Sequence, residues 1–233
     1  MSGRPVGVGE TAPAGAQTLA RGLSALELIA AAEGGMTVQE VAERLGVHRT
    51  IASRLLGALA GHRLIARDAA GRYRVGSGVI ALARQYEPVL KTAAGAVLRH
   101  LADKVGATAL VTVHDGDSAV AVSVVEPAGL VARLSYRPGH RSPLDRGAAA
   151  YALRSQLPPE PGEPPGVARA RRDKYAIAHG EVTAGAYGVA APIARAPGDR
   201  PACVLLITVD RHLAESGLPA VTDAARQISA LIA

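Results

Sequence analysis

Thr37 and Glu40 stand three residues apart at the head of an apolar helical pattern, and this pair fixes how the chain around it can fold. In such a capping box each side chain satisfies a backbone donor that the first turn of a helix leaves unpaired. The helix it opens carries Val38, Val41, Ala42 and Leu45 on its apolar side and stops at Gly46, where the chain can turn through the left-handed conformation at little cost. A third helix starts near His48 and runs to about Gly61, so that two helices are joined by a short glycine turn, which is a helix-turn-helix. Upstream, Leu19, Leu23, Leu26, Ile29 and Ala30 recur at helical spacing and predict a first helix ending near Gly34 and Gly35.

Ile51, Leu55 and Leu59 are expected to form the buried stripe of the third helix, leaving His48, Arg49, Thr50, Ser53 and Arg54 outward near its N-terminal end. Leu64 to Ala66 and Arg72 to Val75, either side of the turn at Asp68 to Gly71, read as a short hairpin. The formal net charge is +6, and much of it gathers here: Arg49, Arg54, Arg63, Arg67, Arg72 and Arg74 face Asp68 alone between Val47 and Gly76. A charge run by itself is a solvated face. A basic helix followed by a basic hairpin is a recognition helix with a wing, a surface suited to the phosphates and base edges of duplex DNA.

The run TLARGLSALELIAAAEGGMTVQEVAERLGVHRTIASRLLGALAGHRLIARDAAGRYRVGSGVIALA resembles the DNA-binding domain of the IclR-type transcriptional regulators, in the Arg of the first helix, the RLL of the third and the YxxG that closes the wing. The candidate DNA contacts are Arg21, Thr37, His48, Arg49, Thr50, Ser53, Arg54, Arg67, Arg72 and Arg74. One departure from the resemblance is Arg63, where relatives often carry Gly; Gly61 would then end the helix two residues earlier and shift the wing. The domain plan is a flexible tail over 1–16, a winged helix-turn-helix over 17–76, a linker helix over 77–87 and an effector-binding and oligomerisation domain over 88–233.

Pro88 suits the first turn of a helix, and Leu90, Ala94, Val97, Leu98, Leu101 and Val105 keep helical spacing, as a connector or as the first helix of the second domain. ATALVTVHDG, SAVAVSVVEP and LVARLSY then read as an antiparallel meander, RGAAAYALRSQL as a helix, 158–166 as a loop, YGVAAPIAR and ACVLLITV as strands, and a last helix runs from about Pro219 to Ile232. This is an α+β fold, and the second domain resembles the GAF-like effector domain of the same regulators. The resemblance implies that the backbones of Ala148 and Ala149 meet an anionic ligand at a helix N-terminus, that Glu181, Gly185, Ala190 and Pro192 fall on matching positions, and that Ala178, Gly188, Leu206 and Thr208 line the pocket. Tyr187, like Tyr151, either adds flat surface to that pocket or lies outside it. With small or apolar residues at positions that are polar in relatives binding oxo-acids, the implied ligand is a larger, partly apolar carboxylic acid. The stretch 155–172 is shorter than in the family, which leaves open a missing helix and a pocket that is open or vestigial.

The composition, 48% apolar and 20% charged, is that of a globular chain, and no window has the apolar length of a membrane span or of a signal peptide. The lone Cys203 gives no disulfide framework. Together these predict a cytoplasmic protein without membrane contact. No metal-ligand spacing among the seven His residues, no GxSxG, no phosphate loop and no GxGxxG is present, so neither an enzyme nor a cofactor is expected. His114 reads as a strand-end polar residue rather than a catalytic base. One recognition helix covers half a site, so the expected partner is a pseudo-palindromic operator bound by a homodimer or dimer of dimers. The second domain is left with two readings, a sensor of a small effector or a dimerisation module that binds none.

Overall fold

In the computed structural model, which describes residues 14–127 and 136–233, Thr37 Oγ1 accepts from Glu40 N at 3.2 Å and Glu40 Oε2 accepts from Thr37 N at 2.6 Å. The capping box opens α2 (Val38–Leu45), which Gly46 ends at φ 64°. Before it lies α1 (Ala14–Ala31), and after it α3 (Arg49–Gly61), the hairpin β1 (Ile65–Arg67) and β2 (Tyr73–Val75), and α4 (Gly78–Arg84). These belong to the first of two compact units, Met1–Tyr86 and Glu87–Ala233. Of the segment read as a tail, residues 1–13 lie outside the described residues and 14–16 already belong to α1.

Ala25, Ile29, Met36, Val41, Ala42, Ala52, Leu56, Leu59 and Ile65 form the core of the first unit. The inward stripe of α1 is thus Gly22, Ala25 and Ile29, while Leu19 and Leu23 are 65% and 50% exposed and Ala30 is exposed too. The expected stripe of α3 is also rotated: Ala52, Leu55, Leu56 and Leu59 are buried, and Ile51 is 42% exposed. In both helices several apolar residues satisfy the same spacing, and the small residue, not the large one, faces the neighbouring helix because it allows close approach. α3 ends at Gly61 as expected, and Arg63 itself takes the left-handed conformation two residues on, at φ 60°. Its carbonyl accepts from Gly78 N at 2.9 Å, and a Cβ on Gly76 would lie 2.3 Å from that same oxygen.

The second unit begins with α5 (Pro88–Val105) and builds a six-stranded, wholly antiparallel sheet from β3 (Thr108–Asp115), β4 (Ser118–Val125), β5 (Arg141–Pro143), β6 (Ala176–His179), β7 (Tyr187–Ile193) and β8 (Ala202–Thr208). The spatial order is β5-β4-β3-β8-β7-β6. On one face Val111, Val113, Val204 and Leu206 pack against α5 and α8 (Arg211–Ile232). On the other face Leu110, Cys203, Leu205 and Ile207 pack against α6 (Ala148–Arg154) and α7 (Pro165–Asp173). α7 occupies the shortened stretch, so a helix is present there. The strand read at 130–136 lies outside the described residues except for Tyr136. The last helix starts eight residues before Pro219, because Asp210 caps it through His212 N and Leu213 N, and Pro219 is carried inside. α6 ends at Arg154 with the small residues Ala148, Ala149, Ala150 and Ala152 buried against the sheet.

Left-handed backbone strains a side chain that bears Cβ, so Arg63→Gly is expected to stabilise the first unit by about 1 kcal/mol. Gly76→Ala, which drives a methyl into the Arg63 carbonyl, is expected to cost about 1 to 3 kcal/mol. Urea denaturation of the two variants beside the parent checks both signs.

Candidate nucleic-acid interface and ligand cleft

His48 caps α3, its Nδ1 accepting from Thr50 N at 3.3 Å. This sets the first turn so that Arg49, Thr50, Ile51, Ser53 and Arg54 all lie on the exposed side. Among the described residues, Arg49 and Arg54 make no hydrogen bond or ion pair, and both guanidinium groups are open to solvent. His48, Arg49, Thr50, Ser53 and Arg54 therefore form one contiguous polar surface at the start of α3.

The other expected DNA contacts are differently placed. Thr37 is committed to the capping box. Arg72 donates to Gly34 O at 3.0 Å, to Gly35 O at 2.8 Å and to Glu40 at 3.0 Å, which ties the hairpin to the turn between α1 and α2. Met36 and Tyr73 exchange backbone hydrogen bonds of 2.9 and 2.7 Å alongside it. Arg74 pairs with Asp68 at 3.0 Å and donates to Glu33 O, and Arg67 lies over the Tyr73 ring and donates to Gly71 O. Arg67, Arg72 and Arg74 thus hold the wing together, although Arg74 keeps half its side chain exposed. Arg21 is half-buried on α1. The hydrogen bond from Thr37 N, with Arg72 behind it, holds the Glu40 carboxyl below its usual range, and the Arg72 backbone and the Arg74 side chain do the same for Asp68.

In the second unit a cavity of about 50 Å³ opens between α6, β6, β7 and β8. Ala148, Ala149, Ala178, Glu181, Tyr187 and Gly188, six of the expected effector contacts, line it together. Leu206 and Thr208 do not. They point to the α5 and α8 face, where Leu206 is fully buried, and Leu205 and Ile207 line the cavity instead. Alternation along a strand puts neighbours on opposite faces, and β8 is apolar on both, so its sequence carries no sign of which set faces which side. Also unforeseen in the lining are Tyr136, Ser142, Arg146 and Thr183. Tyr151, the other open tyrosine, is absent from the lining, but its hydroxyl donates to Glu181 Oε2 at 2.6 Å. The same oxygen accepts from Gly147 N at 2.7 Å, so the protein's own carboxylate sits at the start of α6. Burial and then this carboxylate push the Tyr151 hydroxyl up in pKa. Arg146 Nε donates to Glu181 O at 3.0 Å, and Tyr136 and Thr183 hydroxyls meet at 3.3 Å across the cleft. Gly147 permits this closeness, since at φ 93° a Cβ there would lie 2.6 Å from Val182.

His114 faces a separate, open hollow with Arg154 and Glu163, and burial followed by the Arg154 charge lowers its pKa. Cys203 is fully buried with its thiol pushed up by burial, which makes it unreactive.

A capped helix-turn-helix whose hairpin is fastened beside it, followed in one chain by an antiparallel α+β unit with a small cleft, is the plan of a winged-helix regulator with a separate C-terminal domain. Residues 18–69 match the family model of the IclR helix-turn-helix domain. The chain is 33% identical over 152 residues to the HTH-type transcriptional regulator Rv1719 of Mycobacterium tuberculosis, covering 65% of this chain and 58% of that one. It is 30% identical over 162 residues to the HTH-type transcriptional repressor AllR of Klebsiella pneumoniae, covering 68% and 59%. The matches thus span under two thirds of these relatives' lengths. An IclR regulator of Alicyclobacillus acidocaldarius shares the fold with a TM-score of 0.74 at 22% identity over 93% of this chain and 99% of that one. An IclR homolog of Microbacterium hydrocarbonoxydans, solved in complex with 4-hydroxybenzoate, does so with a TM-score of 0.80 at 20% identity over 92% and 98%. Residues 18–69 thus form a helix-turn-helix domain of the IclR family, and the chain as a whole is similar to IclR-type regulators.

A carboxylate whose folded pKa is depressed stabilises the fold above its unfolded pKa and loses that contribution as pH falls through the folded value. Glu40 and Asp68 are both depressed, so the attachment of the wing is complete at neutral pH and is expected to weaken as pH drops below about 4. Denaturation midpoints between pH 7 and 3 check this, and in Glu40→Gln the loss should be smaller because part of it is already taken.

Proposed function

We propose that the protein regulates transcription by binding a pseudo-palindromic duplex operator through α3, as a dimer or dimer of dimers. What carries the reading is the pair Arg49 and Arg54, exposed on the helix that follows a capped glycine turn and unpaired among the described residues. Guanidinium groups of this kind suit guanine edges and phosphates. The arginines of the wing contribute mainly through the fold, and Arg74 keeps enough exposure to reach the backbone of DNA as well. Dimer formation is supported by apolar side chains that the first unit leaves in solvent, namely Leu19, Leu23, Ile80 and Leu82, the last two at 64% and 65% exposure on α4. Work on DNA would place the protein in the cytoplasm. Among the described residues no helix is long and apolar enough to cross a membrane.

For the second unit we propose a sensor of a partly apolar carboxylic acid, held between the apolar wall of Ala148, Ala178, Leu205 and Ile207 and the charge of Arg146. The 4-hydroxybenzoate complex of the Microbacterium hydrocarbonoxydans homolog lends this chemistry support. A cavity that accepts a benzene ring measures about 150 Å³. The cleft must therefore open before such a ligand enters, with the Tyr136 to Thr183 contact the first to part. The small volume, with Glu181 already seated at the start of α6, favours the second reading, a dimerisation domain that binds no effector.

Arg49→Ala and Arg54→Ala are each expected to weaken operator binding by about 1 to 3 kcal/mol while leaving the fold unchanged. Arg72→Ala, by contrast, should lower thermal stability first. Gel-shift titration and thermal melts of the three variants separate the roles, and undiminished binding with both Arg49 and Arg54 replaced would remove α3 from the interface.

Calorimetry addresses the second unit. Heat of binding is expected with 4-hydroxybenzoate and little with pyruvate or glyoxylate, which lack an apolar body to bury against Ala148, Ala178, Leu205 and Ile207. Silence with every acid supports the ligand-free reading.

A further inference from the structure

Ile51 breaks the pattern of its own helix. The other aliphatic side chains of α3 larger than alanine, Leu55, Leu56 and Leu59, are at most 8% exposed, whereas Ile51 is 42% exposed. It projects between Arg49 and Thr50 on one side and Ser53 and Arg54 on the other, all exposed. One and two turns further along the same face stand Arg54 and Ala58, with Gly57 beside them, both small residues exposed. The face is therefore low in relief at its C-terminal end, and Ile51 is the one apolar projection near its N-terminal end. Although part of it rests against its own unit, among the described residues it lies outside the apolar core that α2 and the hairpin help to form.

The geometry points to Ile51 as a base-reading residue that contacts the C5-methyl of a thymine in each half of the operator. This inference rests on the operator reading above and extends it to sequence preference. The occupant follows from charge and chemistry together. Arg49 and Arg54 flank the side chain with two guanidinium groups unpaired among the described residues, which favours a polyanion over an apolar protein surface. Within the major groove the thymine methyl is the apolar group that base edges present. A β-branched side chain suits that contact, since its stiff χ1 leaves little rotamer freedom to lose on binding. Thr50, next to it, is held by its backbone N–H to His48 Nδ1 at 3.3 Å, so the turn that carries Ile51 is ordered before DNA arrives.

The test begins by selecting preferred duplexes from a random library with the full-length chain, then replaces each thymine of the selected sequence, one at a time, by uracil, which lacks the methyl and keeps the hydrogen bonds. At one thymine per half-site the parent protein should lose about fourfold in affinity, the worth of one methyl group. Ile51→Ala should bind the unmodified duplex more weakly by at least as much and be indifferent to uracil at that position. Ile51→Val, which keeps the branched methyl groups, should retain part of the sensitivity. Thermal melts equal to the parent's are expected for both variants, because the side chain is outside the core. If every uracil affects the parent and Ile51→Ala alike, the inference falls while the operator reading stands. If selection enriches no sequence at all, the operator reading falls and this inference with it.

Discussion

The Glu40 carboxylate is the group on which the proposed DNA-binding surface depends. One of its oxygens closes the capping box with Thr37, and the same group receives the Arg72 guanidinium from the hairpin. A single carboxylate thus fixes the start of α2 and the seat of the wing. Because Gly46 joins α2 to α3 with little slack, fixing α2 also fixes the direction of α3. Arg72 adds hydrogen bonds to the carbonyls of Gly34 and Gly35, so the turn after α1 is held by the same residue. Charge-assisted bonds of this kind, shared among three elements, hold a small unit whose core is mostly Ala, Leu and Ile and contains no Trp or Phe. The cost is that Arg67, Arg72 and Arg74, half of the six arginines between Val47 and Gly76, are spent on structure, which on the proposed reading leaves α3 to carry recognition.

The second unit solves a different problem, that of holding a closed cleft next to a tightly packed sheet. Small residues do this work: Ala148, Ala178 and Gly188 let α6 approach β6 and β7, and a Cβ on Gly188 would stand 3.3 Å from that of Ala148. Glu181 fills the polar end of the cleft by accepting from Gly147 N and the Tyr151 hydroxyl. Any acidic ligand brought to this end would meet that negative charge as well as Arg146. Hydrogen bonds at Glu181 and between Tyr136 and Thr183 hold the cleft small, and a ligand that bound only a wider arrangement would shift the protein toward it.

The first unit was legible in the sequence wherever a backbone rule forces a residue type. The capping box, the left-handed Gly46 and the boundaries of α3 follow from such rules, and Pro88 at the first turn of α5 follows from another. What periodicity could not resolve was which of several apolar residues faces inward. On α1 the large Leu19 and Leu23 yield to Gly22 and Ala25, and on α3 Ile51 yields to Ala52, since helix spacing is common to both sets. Charge was the least legible property: Arg49 and Arg72 look alike in sequence, yet one is unpaired among the described residues and the other is bound to a carboxylate 32 positions away. In the cleft, Ala148, Ala149, Ala178, Glu181 and Gly188 were readable from family resemblance and Tyr187 was left open, while Leu205 and Ile207 were hidden by a strand that is apolar on both faces. Pro219 misled because Asp210 had already started the helix upstream.

On the proposed reading α3 enters the major groove twice, once from each copy of a symmetric dimer. Ser53 lies exposed on α3, and Cys203 is buried and unreactive, so Ser53→Cys creates one accessible thiol to which an iron chelate can be attached. Cleavage of a selected duplex by this conjugate measures where the helix lies. Two clusters of cuts are expected, related by the operator dyad and separated by about one helical turn, 34 to 36 Å, or a multiple of it. A single cluster, or cuts spread evenly along the duplex with no dyad, would contradict this reading.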